Sequence, residues 1–117
     1  MILESRSIIF SNDELFLALR PLLESRGVSS DISVTDIESS LDAEGEVVVR
    51  IHQADSEEPI DFVSKEVGSA VLNHCIDQGI PLPRGSYKEL AIRGEMIALI
   101  VRLETGGTSS DVEEGEE

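Results

Sequence analysis

The sequence predicts an α+β fold, with two tandem βαββ units forming a two-layer domain. In that domain a mostly antiparallel sheet carries both helices on one face. One observation is an internal match at a constant offset, which aligns Ile8 with Ile60 and Phe10 with Phe62. A second is that each matched segment contains apolar residues at helical spacing. A third is that short apolar or β-branched runs of strand length flank both helical segments.

The first half begins with a predicted strand at Ser7–Phe10, which leads into an amphipathic helix. Ser11 followed by Glu14 is a capping-box pattern, and it marks the start of that helix. A hairpin is predicted next, from Asp31–Asp42 into Val47–His52. The apolar face of the helix consists of residues at i, i+3, i+4, i+7 and i+8: Leu15, Ala18, Leu19, Leu22 and Leu23.

The second half repeats this order from a predicted strand at Pro59–Phe62. Gly79 follows the second helix and is typical of a residue that ends a helix in a left-handed conformation. The last hairpin is predicted from Tyr87–Gly94 into Met96–Glu104, and the charged stretch Gln53–Pro59 is predicted to be an exposed connector. The residues on one face of the second helix are Val67, Ala70, Val71, His74 and Cys75.

A chain of 117 residues is expected to form one domain. We predict that residues 1–104 form it, built by duplication of segments 8–52 and 60–104. The alternative is that two amphipathic helices with similar ends resemble each other without common ancestry. Residues 105–117 contain five acids and no base, and they are predicted to be a disordered acidic tail.

The charge of the chain excludes several classes of partner. It has 24 acidic and 9 basic residues and a formal net charge of −15. Nucleic-acid phosphates and anionic membranes both attract basic surfaces, so neither is an expected partner. Cys75 is the single cysteine and no signal peptide or membrane-spanning run is evident, which favours a cytoplasmic location.

No motif for catalysis, metal binding or a cofactor stands out. His74 and Cys75 are neighbours on a helix, where side chains diverge by about 100°, so they are poorly placed to act as base and nucleophile. His52 has no partner at metal-ligand spacing. We therefore expect no metal, no cofactor and no catalytic activity. Two matched pairs stay open as sites for a small molecule: Glu14 with Glu66, and Arg50 with Arg102.

The segment "GIPLPRGSYKEL" is the place where the two halves differ most. Its prolines favour an extended backbone, and it is locally basic in an acidic chain. Leu82 stands between two prolines with no predicted helix or strand to bury it. We predict that Leu82, Arg84, Tyr87 and Lys88 bind a partner, since arginine and tyrosine are favoured at interfaces. The alternative is that Pro81 serves to end the helix and to direct the chain into the next strand.

Three hypotheses of function follow. The first is a small acidic interaction or regulatory module that binds a protein partner without catalysis, and a homodimer is one arrangement that it allows. The second is an acidic decoy or inhibitor of a basic, nucleic-acid-binding protein, which predicts steep loss of binding as salt rises. The third is a small-molecule-binding domain or enzyme with its site between the two halves.

Overall fold

The computed structural model describes residues 1–28 and 32–105. Two helices and six strands occur in these residues. In chain order they are β1 (Ile2–Phe10), α1 (Asn12–Ser25), β2 (Val34–Leu41), β3 (Val47–Gln53), β4 (Ser56–Phe62), α2 (Ser64–Asp77), β5 (Tyr87–Arg93) and β6 (Met96–Thr105). The α+β class and the antiparallel strand pairing predicted from the sequence are confirmed.

The sequence predicted a mostly antiparallel sheet, and the structure divides its strands into two separate three-stranded sheets. Sheet A has the order β1-β6-β5, and sheet B has the order β2-β3-β4. Every strand pair in both sheets is antiparallel. The local pattern of alternating apolar residues predicts strands correctly, but it does not say which strands share hydrogen bonds, and that choice separates one sheet from two.

Each sheet combines strands from both halves of the chain. β1 lies against β6, with Phe10 opposite Ile97. β4 lies against β3, with Phe62 opposite Val49. The first strand of each half therefore pairs with the hairpin of the other half, and neither half has a complete sheet of its own.

The two helices pack against each other and separate the buried side chains from solvent. α2 also contacts β3 of sheet B and both β5 and β6 of sheet A, so it joins the two sheets. The apolar helix faces predicted from the sequence point into this core. Its fully buried side chains, none exposed by as much as 2 %, include Leu15, Leu19, Leu23, Val49, Ile51, Phe62, Val67, Val71, Cys75 and Ile97.

The start of α1 and the ends of both helices contain the residue types that the sequence predicted to begin and end them. Ser11 caps α1, because its Oγ accepts a hydrogen bond from the Glu14 N–H at 3.2 Å. Gly27 and Gly79 follow the helices with φ angles of 79° and 73°, a region that glycine enters without steric cost. Pro21 lies inside α1, and the helix continues past it to Ser25.

Two boundaries differ from the sequence prediction. Most of the predicted connector Gln53–Pro59 is structured, because β3 ends at Gln53, a tight turn follows, and β4 begins at Ser56. Pro59 is compatible with this strand because β4 is an edge strand, where a missing N–H is tolerated. At the other end β6 includes Thr105, and the rest of the predicted acidic tail, 106–117, lies outside the described residues.

In the part of the chain that the structure describes, neither helix is long and apolar enough to cross a membrane.

The buried helix interface should dominate stability. Leu19 is fully buried, whereas Leu17 on the same helix is 41 % exposed. Leu19→Ala should lower the free energy of unfolding by about 3 kcal/mol, because the substitution leaves a cavity. The matched variant Leu17→Ala should lower it by less than about 1 kcal/mol. Urea unfolding of both variants measures the difference, and equal losses would contradict the packing described here.

Candidate functional site

A groove with a volume of about 780 Å³ lies between α2 and the edge strand β5. We call it the α2–β5 groove. The end of the β2–β3 hairpin closes its far side. The residues that line it are Leu41, Gly45, Glu46, Val47, Ser64, Gly68, Ser69, Leu72, Tyr87–Arg93 and Leu99.

One wall of the groove is a strand edge that no other described strand covers, since β5 pairs with β6 alone. The β5–β6 turn has two residues, Gly94 and Glu95, with φ angles of 57° and 67°, as in a type I′ hairpin. Such a turn makes Arg93 and Met96 a hydrogen-bonded pair, and alternate residues of β5 then bond to β6. The backbone N–H and C=O groups of Lys88, Leu90 and Ile92 therefore point away from β6, toward the open side.

The side of the groove opposite β5 is formed by Ser64, Gly68, Ser69 and Leu72 of α2. Gly68 is the fifth residue of this helix, and a Cβ built there would lie 3.8 Å from Leu90 Cδ1, an ordinary contact distance. A glycine inside a helix costs roughly 0.5–1 kcal/mol relative to alanine. No backbone strain accounts for it, because the φ angle at Gly68 is not positive. What the glycine provides is space beside β5.

A similar but smaller groove lies between α1 and β2, with a volume of about 500 Å³. Phe16, the fifth residue of α1, lines that groove at the position that corresponds to Gly68 in α2. A phenylalanine thus stands at this helix position beside the smaller groove, where the larger groove has a glycine. Each groove lies beside the start of a helix and an edge strand, and among the described residues only the α2–β5 groove is also lined by the end of a hairpin.

The rim of the α2–β5 groove carries an exposed aromatic ring and charges of both signs. Tyr87 is 63 % exposed. Lys88 is half-buried, and its Nζ donates to the Ser86 carbonyl at 3.2 Å. Arg93 and Glu46 are exposed on opposite sides of the groove. Such a rim suits a polypeptide with both polar and apolar side chains better than a single small anion or cation.

The four residues predicted to bind a partner are divided by the structure. Tyr87 and Lys88 line the groove, and Arg84 is exposed in the preceding turn. Leu82, in contrast, packs against the core, so the expectation that no element buries it is not met. The segment around it is also held in place, because Arg6 of β1 donates a hydrogen bond to the Pro81 carbonyl.

Arg50 and Arg102, the predicted ligand-binding pair, lie in different sheets. Arg50 makes two hydrogen bonds to the Asp61 carboxylate, at 2.8 and 3.1 Å. This contact lowers the pKa of Asp61 from its ordinary value. Arg102 donates to Glu89 on the neighbouring strand. Each arginine is thus paired with a carboxylate across its own sheet, and the structure does not bring the two together.

The matched carboxylates Glu14 and Glu66 each interact with the opposite helical unit. Glu14 Oε1 lies 3.3 Å from His74 Nε2 of α2. Glu66 accepts from Arg26, just beyond α1, at 2.7 Å and from the Val63 N–H at 3.0 Å. These contacts connect the two helices, and they leave neither carboxylate directed into a shared cavity.

Arg26 is a contact that sequence patterns did not indicate. Besides Glu66, it donates to the Asp61 carbonyl at 2.8 Å, and its guanidinium lies 4.3 Å from the centroid of the Phe62 ring. One side chain therefore links the end of α1, strand β4 and the start of α2. An arginine directly after a helix is usually solvated, so its sequence position did not indicate these contacts. They form only because the tertiary fold brings β4 and the start of α2 next to the end of α1.

The remaining groups to consider are the thiol of Cys75 and the side chains that could bind a metal ion. Cys75 is fully buried, and burial raises the pKa of its thiol, which reduces its nucleophilicity at neutral pH. Among the described residues, no group of three or more histidine, cysteine, aspartate or glutamate side chains is arranged to hold a metal ion.

Comparison with protein-family models, curated proteins and solved structures finds no match to this chain.

The Arg26–Glu66 contact predicts a specific dependence of stability on pH. The hydrogen bond from Arg26, followed by that from the Val63 N–H, lowers the pKa of Glu66 from its ordinary value of 4.5. A depressed pKa adds stability above pH 4.5, and this contribution is lost as the pH falls through the folded-state pKa. Glu66→Gln should therefore destabilise the protein at pH 7, by about 1 kcal/mol or less because the pair is partly exposed.

The difference between Glu66→Gln and the unsubstituted chain should shrink as the pH falls below 4.5. Urea unfolding at a series of pH values measures it. Glu24→Gln, at an exposed position in the last turn of α1, is the matched control and should follow the unsubstituted chain throughout. A pH-independent difference for Glu66→Gln would contradict the ion-pair interpretation.

Proposed function

We propose that this chain is a small acidic protein-interaction module without catalytic activity, and that its binding site is the α2–β5 groove. An extended segment of a partner protein would enter the groove and pair with the open edge of β5. The observation that carries the proposal is the combination of a strand edge that no other described strand covers with a groove of about 780 Å³ beside it. Strand addition to an exposed edge is a recurrent mode of peptide recognition.

The backbone of β5 supports this mode. Lys88, Leu90 and Ile92 alternate along the strand and direct their N–H and C=O groups to the open side. A partner strand would therefore gain main-chain hydrogen bonds that do not depend on its sequence. Its side chains would contact Gly68 and Leu72 on one face, and selectivity would come from these contacts.

The internal match supports the choice of this groove over its counterpart. We propose that segments 8–52 and 60–104 arose by duplication, as their matched sequences suggest. If so, the two grooves were once alike, and the one lined by Phe16 is now smaller than the one lined by Gly68. Tyr87 and Lys88 belong to the segment in which the halves have diverged most, and both line the open groove.

Substitutions at Gly68 test the proposal with a matched pair. Gly68→Phe should fill the groove and abolish binding. Gly68→Ala adds one methyl group at ordinary contact distance, so binding should persist. Gly68→Ala should also raise the free energy of unfolding by up to about 1 kcal/mol, since alanine favours a helix interior. Peptides selected from a random display library on the unsubstituted chain provide the probe, and titration calorimetry measures their affinity for each variant.

Hydrogen exchange on a selected peptide complex adds a second readout. The amides of Lys88, Leu90 and Ile92 should become protected on binding, while those of the alternate residues, already bonded to β6, should change little. Equal peptide affinity for the Gly68→Phe variant, or protection confined to another surface, would overturn the proposal. Binding that vanishes between low and physiological salt would instead favour the acidic-decoy hypothesis.

A further inference from the structure

A second edge of the molecule has a different character. β1 is the other edge strand of sheet A, and no other described strand pairs with its outer side. Four of the nine large apolar side chains that are exposed in the described residues belong to β1 or to Met1 directly before it, so the exposed apolar surface is concentrated there. They are Met1 at 78 %, Ile2 at 65 %, Leu3 at 74 % and Ile9 at 51 %.

Long apolar edge strands are usually protected, because they can pair with another chain. β4 carries such protection in Pro59 and two acids, Glu57 and Glu58. The edge of β5 lies beside α2 and the β2–β3 hairpin. β1 has no proline, and its charged residues, Glu4 and Arg6, have opposite signs.

The backbone of β1 determines which residues can pair outward. β6 is the central strand, and alternate residues bond to its two neighbours. Since Met96 and Ala98 bond to β5, Leu99 and Val101 bond to β1, where their partners are Ile8 and Arg6. The outward N–H and C=O groups of β1 are then those of Leu3, Ser5, Ser7 and Ile9.

We propose that β1 pairs antiparallel with β1 of a second copy of this chain, about a twofold axis at Ser5. This register places Glu4 opposite Arg6 of the second copy and Arg6 opposite its Glu4. Ile2 lies opposite Ile8, which buries apolar surface on the same face. The outward-facing groups of Leu3, Ser5 and Ser7 all find partners. The two A sheets become one six-stranded sheet with the order β5-β6-β1-β1-β6-β5.

Charge complementarity selects this register from its neighbours. An axis at Ser7 would place Arg6 opposite Ile8, and an axis at Leu3 would place Glu4 opposite Ile2. In both alternatives a charged side chain lies across from an apolar one. With the axis at Ser5, two pairs of oppositely charged side chains lie across from each other. Cross-strand pairs of opposite charge are favourable, and like charges in the same positions are unfavourable. Arg6 can keep its bond to the Pro81 carbonyl, because a guanidinium has five donors.

The inference goes beyond the proposed function and does not depend on it, because β1 and β5 are opposite edges of sheet A. A dimer of this kind leaves both α2–β5 grooves open at the two ends of the joined sheet. Loss of peptide binding in the Gly68→Phe variant and loss of dimerisation in a β1 variant are therefore separate outcomes.

Charge exchange provides the first test. Analytical ultracentrifugation over a range of concentrations should show a dimer for the unsubstituted chain. Glu4→Arg and Arg6→Glu should each raise the dimer dissociation constant about tenfold or more, because two attractive pairs become repulsive. The double variant Glu4→Arg/Arg6→Glu should recover the affinity, because the opposite charges face each other again. Circular dichroism checks that each variant is folded.

A cysteine at the axis provides the second test. Ser5→Cys should form a disulfide with its own copy under mild oxidation, because Cα atoms in a hydrogen-bonded antiparallel pair lie about 5.5 Å apart. Ser7→Cys is the matched control, an exposed serine on the same strand whose copy lies about 13 Å away in this register. Cys75 is buried and should not react. A monomer at all concentrations, a dimer indifferent to the charge exchange, or equal cross-linking at both serines would overturn the proposal.

Discussion

The pairing of β1 with β6 is the constraint on which the rest of the structure depends. It joins strands from opposite ends of the described chain, from Ile2 opposite Thr105 to Phe10 opposite Ile97. Without it the β5–β6 hairpin would be a two-stranded ribbon, which is marginally stable alone. With it, the inner face of sheet A can cover the helices, and α2 is held against both sheets. The groove beside β5 lies at the opposite edge of this sheet, where β5 has β6 as its one strand neighbour among the described residues.

The same constraint explains why the two proposed contact sites differ. A three-stranded sheet necessarily has two edges, and in sheet A these edges meet different surroundings. β5 lies beside α2 and the end of the β2–β3 hairpin. An incoming strand there would be enclosed by side chains from both of these elements. β1 faces solvent, so a partner there would meet mainly the strand itself. Enclosure favours selectivity for a particular segment, whereas an open edge requires a partner with a complementary pattern of its own.

Local chemistry predicted much of the fold. The apolar spacing of Leu15, Ala18 and Leu19 correctly predicted a buried helix face, and Ser11 correctly predicted a helix start. The division into two sheets was not predictable in this way, because β-strand pairing is non-local and the strand pattern is satisfied by either arrangement.

Tyr87 and Lys88, two of the residues predicted to bind a partner, lie on the α2–β5 groove. The packing of Leu82 against the core was not predicted, because its neighbours in sequence do not reveal that core. A glycine at position 68, within a helix and matched by a phenylalanine, was the sequence signal for the groove.

The pairing of the first strand of each half with the hairpin of the other half also has a consequence for synthesis on the ribosome. β1 precedes β6 by almost the whole described chain, so during synthesis its apolar side chains remain without their partner strand until β6 has been made.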